Sequence, residues 1–157
     1  CCCCGWQPRP IAAACAGAPV GNMTSAYSGI RWESGMARQF QYEREQSRIG
    51  ASLWDARDLY IENSPVFFAD RIKTPLLLMH GDEDGAVPWY QSIELYLALR
   101  RLGKDCFFLQ YRGEPHHPKT YANKLDYSIK MMEFFDHYLK GAPAADWIKT
   151  GVPYNGK

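Results

Sequence analysis

An aspartate at position 84 and a histidine at position 116 carry the reactive potential of this sequence. The first lies in His80-Gly81-Asp82-Glu83-Asp84-Gly85-Ala86-Val87-Pro88, the second in Tyr111-Arg112-Gly113-Glu114-Pro115-His116-His117-Pro118. An aspartate that accepts the imidazole Nδ1–H fixes the ring's tautomer and stabilises the imidazolium formed when the other nitrogen takes a proton. Acyl transfer is the chemistry such a pair serves. Duller readings stand beside this one. Asp84 taken alone reads first as a cap for the helix that starts at Pro88. His117 cannot be told from His116 by residue type. Asp82 and Glu83 read as a solvated turn, since DEDG lacks the spaced oxygen ligands of a calcium loop. His80 at a strand end and His137 within a helical pattern read as structural, and Trp89 and Tyr90 suit a substrate pocket or helix-start packing equally.

The elements around these loops must bring them together. KTPLLLMHG (73–81) is a continuous apolar run of the kind found in strands covered on both sheet faces. PWYQSIELYLALRRLG (88–103) is a helix, with proline suited to its first position, Trp89, Ile93, Tyr96 and Leu97 as its apolar stripe and Gly103 as its C-terminal cap. DCFFLQYRG (105–113) is the next strand. KTYANKLDYSIKMMEFFDHYLKG (119–141) is a long amphipathic helix with Leu125, Ile129, Met132, Phe135 and Leu139 on one side. Earlier, IAAACAG (11–17) is a short buried strand. Residues 21–50 read as irregular, with one short helix around Met36 to Gln46. DARDLYIENSP (55–65) is a short helix stopped before Pro65. Strand, helix, strand, helix with short connections predicts an α/β fold with a mostly parallel sheet and right-handed crossovers. Asp84 and His116 are 32 positions apart with one helix and one strand between them, so both loops leave the same end of neighbouring strands, where reactive groups of open α/β sheets gather.

Composition narrows the function classes. The 157 residues are 46% hydrophobic and 22% charged with a net charge of +1, which fits a globular domain and gives no basic footprint for nucleic acid. No apolar run reaches the roughly 18 residues of a membrane span. Four of the six cysteines are Cys1 to Cys4, a spacing that suits neither a disulfide framework nor zinc. Cys15 and Cys106 read as buried free thiols, which leaves the compartment open. CCCCGWQPRP (1–10) reads as foreign to the fold, as if translated in the wrong frame. The chain starts without Met and is expected to be an internal piece of something longer. Asn22-Met23-Thr24 matches a glycosylation triplet.

The segments AGAPVGNMTSAY, SGIRWESGMARQFQYE, SPVFFADRIKTPLLLMHGDEDGAVPWYQSIELYLALRRLGK and YRGEPHHPKTYANKLDYSIKMMEFFDHYLKGAPAADW cover nearly everything after residue 10. With their HG-x-x-D-x-x-VP, E-x-H and HYLKG patterns they resemble the C-terminal part of the catalytic domain of the prolyl oligopeptidase family of serine peptidases. The resemblance is greatest to its acylaminoacyl-peptidase-like and dipeptidyl-peptidase-like members. It implies the C-terminal part of an α/β-hydrolase fold over residues 11–157. It also implies Asp84 as triad aspartate, His116 rather than His117 as triad histidine, short peptides as substrates and no cofactor or metal.

In α/β hydrolases the triad runs Ser, then Asp or Glu, then His, with the serine in a GxSxG elbow. No GxSxG string occurs here. Ser25, Ser28, Ser34 and Ser64 lack the small flanking residues an elbow needs. The nucleophile is therefore expected outside this chain, in the full-length parent, along with the β-propeller that precedes the catalytic domain in the resembling family. The expectation is a peptidase by descent, inactive alone. An esterase of the same fold and a non-catalytic interaction module are the alternatives.

Overall fold

The apolar run at 73–81 becomes the middle strand of a three-stranded parallel sheet. In a computed structural model that describes residues 11–151, β4 (Leu76–Gly81) lies between β1 (Ala14–Gly17) and β5 (Cys106–Tyr111). The opening ten residues, set apart above, lie outside the described range. All six residues of β4 are buried. Alternation divides them between two cores. Leu76 and Leu78 pack with Ile72, Leu95, Leu99 and Cys106 on one face. Leu77 packs with Ala13 and Phe134 on the other. The expected α/β class is what forms.

Register sets the site. Leu76 pairs with Cys106 and Gly81 with Tyr111, so β4 and β5 end level and their following loops emerge side by side. The helix after β4 is α4 (Tyr90–Arg101), and the helix after β5 is α5 (Tyr121–Lys140). Gly141, at φ +70, ends α5 in the left-handed conformation that glycine adopts without a Cβ clash.

Both expected helix stripes need correction. On α4 the buried residues are Gln91, Ser92, Leu95 and Leu99, while Leu97 is 58% exposed and Trp89, Ile93 and Tyr96 are half-buried. A count of apolar residues misses this face because one of its members, Ser92, is polar and satisfied by His80. On α5 the buried residue is Phe134, with Met131, Phe135 and Tyr138 packed beside it. Leu125, Ile129, Met132 and Leu139 are instead 46–64% exposed. This helix is apolar on two sides, and the aromatic side takes the sheet through Phe107.

Between β1 and β4 the chain is more ordered than its sequence suggests. It forms α1 (Met23–Tyr27), a small antiparallel pair of β2 (Ile30–Arg31) with β3 (Met36–Ala37), then α2 (Gln39–Glu43) and α3 (Arg57–Glu62), and a kinked 3-10 segment (Pro65–Arg71). The helix expected over Met36 to Gln46 therefore shrinks to α2, because Met36 and Ala37 pair with β2. Tyr27, Tyr42 and Tyr60 cluster edge to face and give this insertion its own core. Asn22, the head of the glycosylation triplet, caps α1: its Oδ1 accepts from the N–H of Thr24 and Ser25.

Candidate active site

Asp84 is fully buried at its side chain, in the turn between β4 and α4, and both of its oxygens are engaged. Oδ1 accepts from the N–H groups of Ala86 and Val87, each at 2.8 Å. Oδ2 accepts from His116 Nδ1 at 2.7 Å and from His80 Nε2 at 2.9 Å. The capping and catalytic readings thus divide one carboxylate: one oxygen shapes the turn into α4 and the other holds His116. Burial by itself would raise the carboxyl's pKa, but hydrogen bonds from His80, Val87, His116 and Ala86 outweigh it and hold Asp84 at about 2. The group is an anion at any physiological pH.

His80 is the buttress of this arrangement. It is fully buried. Its Nε2 faces both Asp84 Oδ2 and the Val87 carbonyl at 3.0 Å. A carbonyl only accepts, so Nε2 carries the proton. Nδ1 then accepts from the Ser92 hydroxyl at 2.7 Å. Ser92, His80, Asp84 and His116 form one hydrogen-bonded chain from the inside of α4 to the rim of the site. The structural role read for His80 is the observed one, and it acts on Asp84.

The loop after β5 is held against the loop after β4 by three devices. Gly81 leaves room for it: a Cβ there would stand 2.0 Å from the Glu114 carbonyl oxygen and 2.6 Å from that of Pro115. The Glu83 N–H donates to that same Glu114 oxygen at 3.1 Å. Asp82 accepts from the Gly113 N–H at 2.6 Å and from Gln110 at 3.2 Å, so it clamps the two strand ends rather than lying free in a solvated turn.

Glu114, to which the sequence reading gave no role, is 2% exposed and fastens the far side of the loop. It accepts from the N–H groups of Lys119 and Thr120 and from Asn123 Nδ2. Hydrogen bonds from Thr120, Lys119 and Asn123 bring its carboxyl down to about 2. The available signal was an acidic residue one loop ahead of a helix start.

His116 is thus fixed through Nδ1, partly exposed, and lines a cavity of about 710 Å3 with its other nitrogen unbound among the described residues. His117 is exposed and its ring packs edge-on against that of His116, 4.6 Å between centroids. Asp84 meets His116, not His117. Trp89 and Tyr90 pack against one another with their ring planes tilted by 51°, outside the cavity. His137 Nδ1 donates to the Ala142 carbonyl at 2.8 Å and closes the C-terminal end of α5. Of the two free thiols, Cys106 is buried and Cys15 half-buried beside the Tyr127 hydroxyl. Among the described residues no serine hydroxyl is hydrogen-bonded to His116, and no His, Cys, Asp and Glu cluster is arranged to hold a metal.

The model of the prolyl oligopeptidase family, Peptidase_S9, matches residues 2–142. The chain belongs to that family. Among its relatives is an uncharacterized peptidase, YuxL, of Bacillus subtilis (strain 168), 28% identical over 106 residues, a match that takes in 64% of this chain and 15% of the relative. A probable glutamyl endopeptidase of the Arabidopsis thaliana chloroplast is 35% identical over 89 residues, 52% of this chain and 9% of the relative. An acylaminoacyl peptidase of Pyrococcus horikoshii shares the fold with a TM-score of 0.67 at 22% identity, over 90% of this chain and 22% of its own. The chain spans less than a quarter of the length of each of these proteins. Prolyl oligopeptidase family members are serine peptidases on an α/β-hydrolase fold, and the parallel sheet with flanking helices described above is part of that fold.

Proposed function

We propose that this chain carries the aspartate and histidine of a serine peptidase that cleaves short peptides through an acyl-enzyme, with the nucleophilic serine and the propeller supplied by the rest of a full-length parent. The observation that carries the reading is the 2.7 Å bond from His116 Nδ1 to a buried, ionised Asp84 beside an open cavity. With Nδ1–H held by Asp84, the free Nε2 is the base. It takes the proton of the serine hydroxyl as that oxygen attacks the scissile carbonyl carbon. The tetrahedral intermediate collapses as Nε2–H protonates the leaving amine, and water repeats the sequence on the acyl-enzyme. Asp84 stays ionised throughout and offsets the imidazolium charge.

Two measurements test this. A serine-directed fluorophosphonate should leave the 157-residue chain unlabelled and should label a longer product of the same gene; labelling of the short chain would place a reactive serine within it and overturn the missing-nucleophile part. In the longer product, His116→Ala should nearly abolish hydrolysis of a chromogenic peptide while leaving the far-ultraviolet spectrum unchanged. Retained turnover would remove His116 from the reaction.

A further inference from the structure

The cavity beside His116 contains a second set of polar groups that proton transfer does not use. Arg38, 4% exposed, and Gln41, 7% exposed, both line it. They reach it from the start of α2, with the Arg38 N–H anchored on the Gly29 carbonyl and the bare Gly29 backbone passing the Arg38 stem. Arg38 Nε donates to the Tyr42 hydroxyl at 3.2 Å, and the guanidinium carbon lies 5.6 Å from that ring's centroid. Beyond this, Arg38 Nη1 and Gln41 Oε1 are buried with no hydrogen-bond partner among the described residues. Arg38 forms no ion pair among the described residues, and no acidic side chain lines the cavity.

The guanidinium is a planar cation whose N–H donors form a fixed fork with no acceptor of its own. A buried, unpaired charge and an unsatisfied amide are both costly, and one ligand relieves both. Much of the remaining wall is apolar, including Ala16, Val20, Met23, Pro65 and Val87, so an arriving anion would be desolvated and its bonds to Arg38 strengthened.

We infer that Arg38 and Gln41 form a subsite for a carboxylate of the peptide substrate. Arg38 Nη1 donates to one oxygen. The Gln41 amide, turned so that its NH2 group faces inward, donates to the other. The inference rests on the peptidase reading for the peptide and on these two side chains for the acid. The carboxylate has two sources, an acidic side chain or the peptide's own C-terminus.

The test is binding, not turnover, on the 157-residue chain. Its Arg38 Nε–H and Gln41 side-chain signals are followed by NMR during titration with three probes: N-acetyl-glutamate α-amide, N-acetyl-glutamine α-amide and N-acetyl-alanine with a free carboxylate. Saturable shifts with the glutamate probe, and affinity for the glutamine probe weaker by roughly tenfold or more, are expected for an acidic side chain. Saturation by the alanine probe alone would also support the subsite and assign it to the C-terminal carboxylate. Arg38→Met should erase the discrimination, and Arg38→Lys should keep it at reduced affinity. Equal binding of the glutamate and glutamine probes, no saturable shift with any probe, or discrimination surviving in Arg38→Met would overturn the inference. His116→Ala should leave the discrimination intact. Absence of peptidase activity from the unsubstituted longer product, with discrimination retained, would count against the peptidase reading alone.

Discussion

Gly81→Ala is the substitution that tests most directly how the two loops are joined. The added Cβ would begin 2.0 Å from the Glu114 carbonyl oxygen, where real Cβ contacts essentially never fall below 3.0 Å. The neighbours are backbone atoms, so no side chain can swing aside. The Glu114–Pro115 segment must retreat by about 1 Å, a displacement large enough to cost a positioned reaction roughly a hundredfold. That retreat strains the Glu83 N–H bond to the Glu114 carbonyl, now 3.1 Å, and pulls His116, two residues on, off Asp84. Overpacking together with the loss of one buried hydrogen bond sums to about 2–4 kcal/mol. Urea unfolding of the 157-residue chain reads that loss, and the far-downfield proton resonance of His116 Nδ1–H reads the geometry. Gly113→Ala is the comparison: Gly113 has φ +71 but open space around its Cβ position, so only backbone strain of about 1–2 kcal/mol applies. If Gly81→Ala unfolds within about 0.5 kcal/mol of the unsubstituted chain and keeps the His116 signal, the two loops are not sterically coupled through Gly81.

Asp84→Asn should turn an amide donor toward two ring nitrogens, of which His80 Nε2 already carries a proton; nitrogen-15 NMR should then show His116 shifted to the Nε2–H tautomer, whereas an unchanged tautomer would refute the assignment of Asp84 as its acceptor. Acid should unfold the chain through Asp84 and Glu114. Both carboxyls have folded-state pKa values near 2, below their ordinary values of 3.8 and 4.5, so the stability they add is present above about pH 4.5 and is lost as pH falls toward 2. Glu114→Gln should flatten part of that acid limb in a pH series of urea midpoints, and an identical pH profile would deny its ionised role. Phe134→Ala should cost about 3–5 kcal/mol and Met132→Gln less than about 0.5 in the same assay, and the reverse order would mean that α5 faces the sheet with its other side.

The three strands of the parallel sheet, the two long helices and the meeting of Asp84 with His116 were legible because they rest on short-range signals: unbroken apolar runs, proline and glycine at helix ends, and one β-α-β unit of ordinary length. The choice of face on α4 and α5 was not legible. Ser92 belongs to the core only because His80 lies opposite, and Leu125 and Phe134 compete for the sheet on equal hydrophobic terms. Glu114 and Arg38 were missed for a related reason. Each gains its meaning from groups distant in sequence or hidden by folding, Glu114 from the N–H groups at the start of α5 and Arg38 from a cavity wall assembled out of segments far apart in the chain.

The strand pairing also carries a consequence for synthesis on the ribosome. Ala14 pairs with Leu76, 62 positions later, and no other strand partners β1 among the described residues. At about 5–20 residues per second, β1 is made roughly 3–12 s before the strand that completes it. The tyrosine cluster of the intervening segment draws on Tyr27, Tyr42 and Tyr60 alone and can close during that interval. The strand that waits longest is Ala-Cys-Ala-Gly, and the one that follows is Leu-Leu-Leu-Met-His-Gly. Of the three strands of this parallel sheet the least adhesive is made before the other two, and Leu-Leu-Leu-Met-His-Gly appears only when a partner is already in place to receive it.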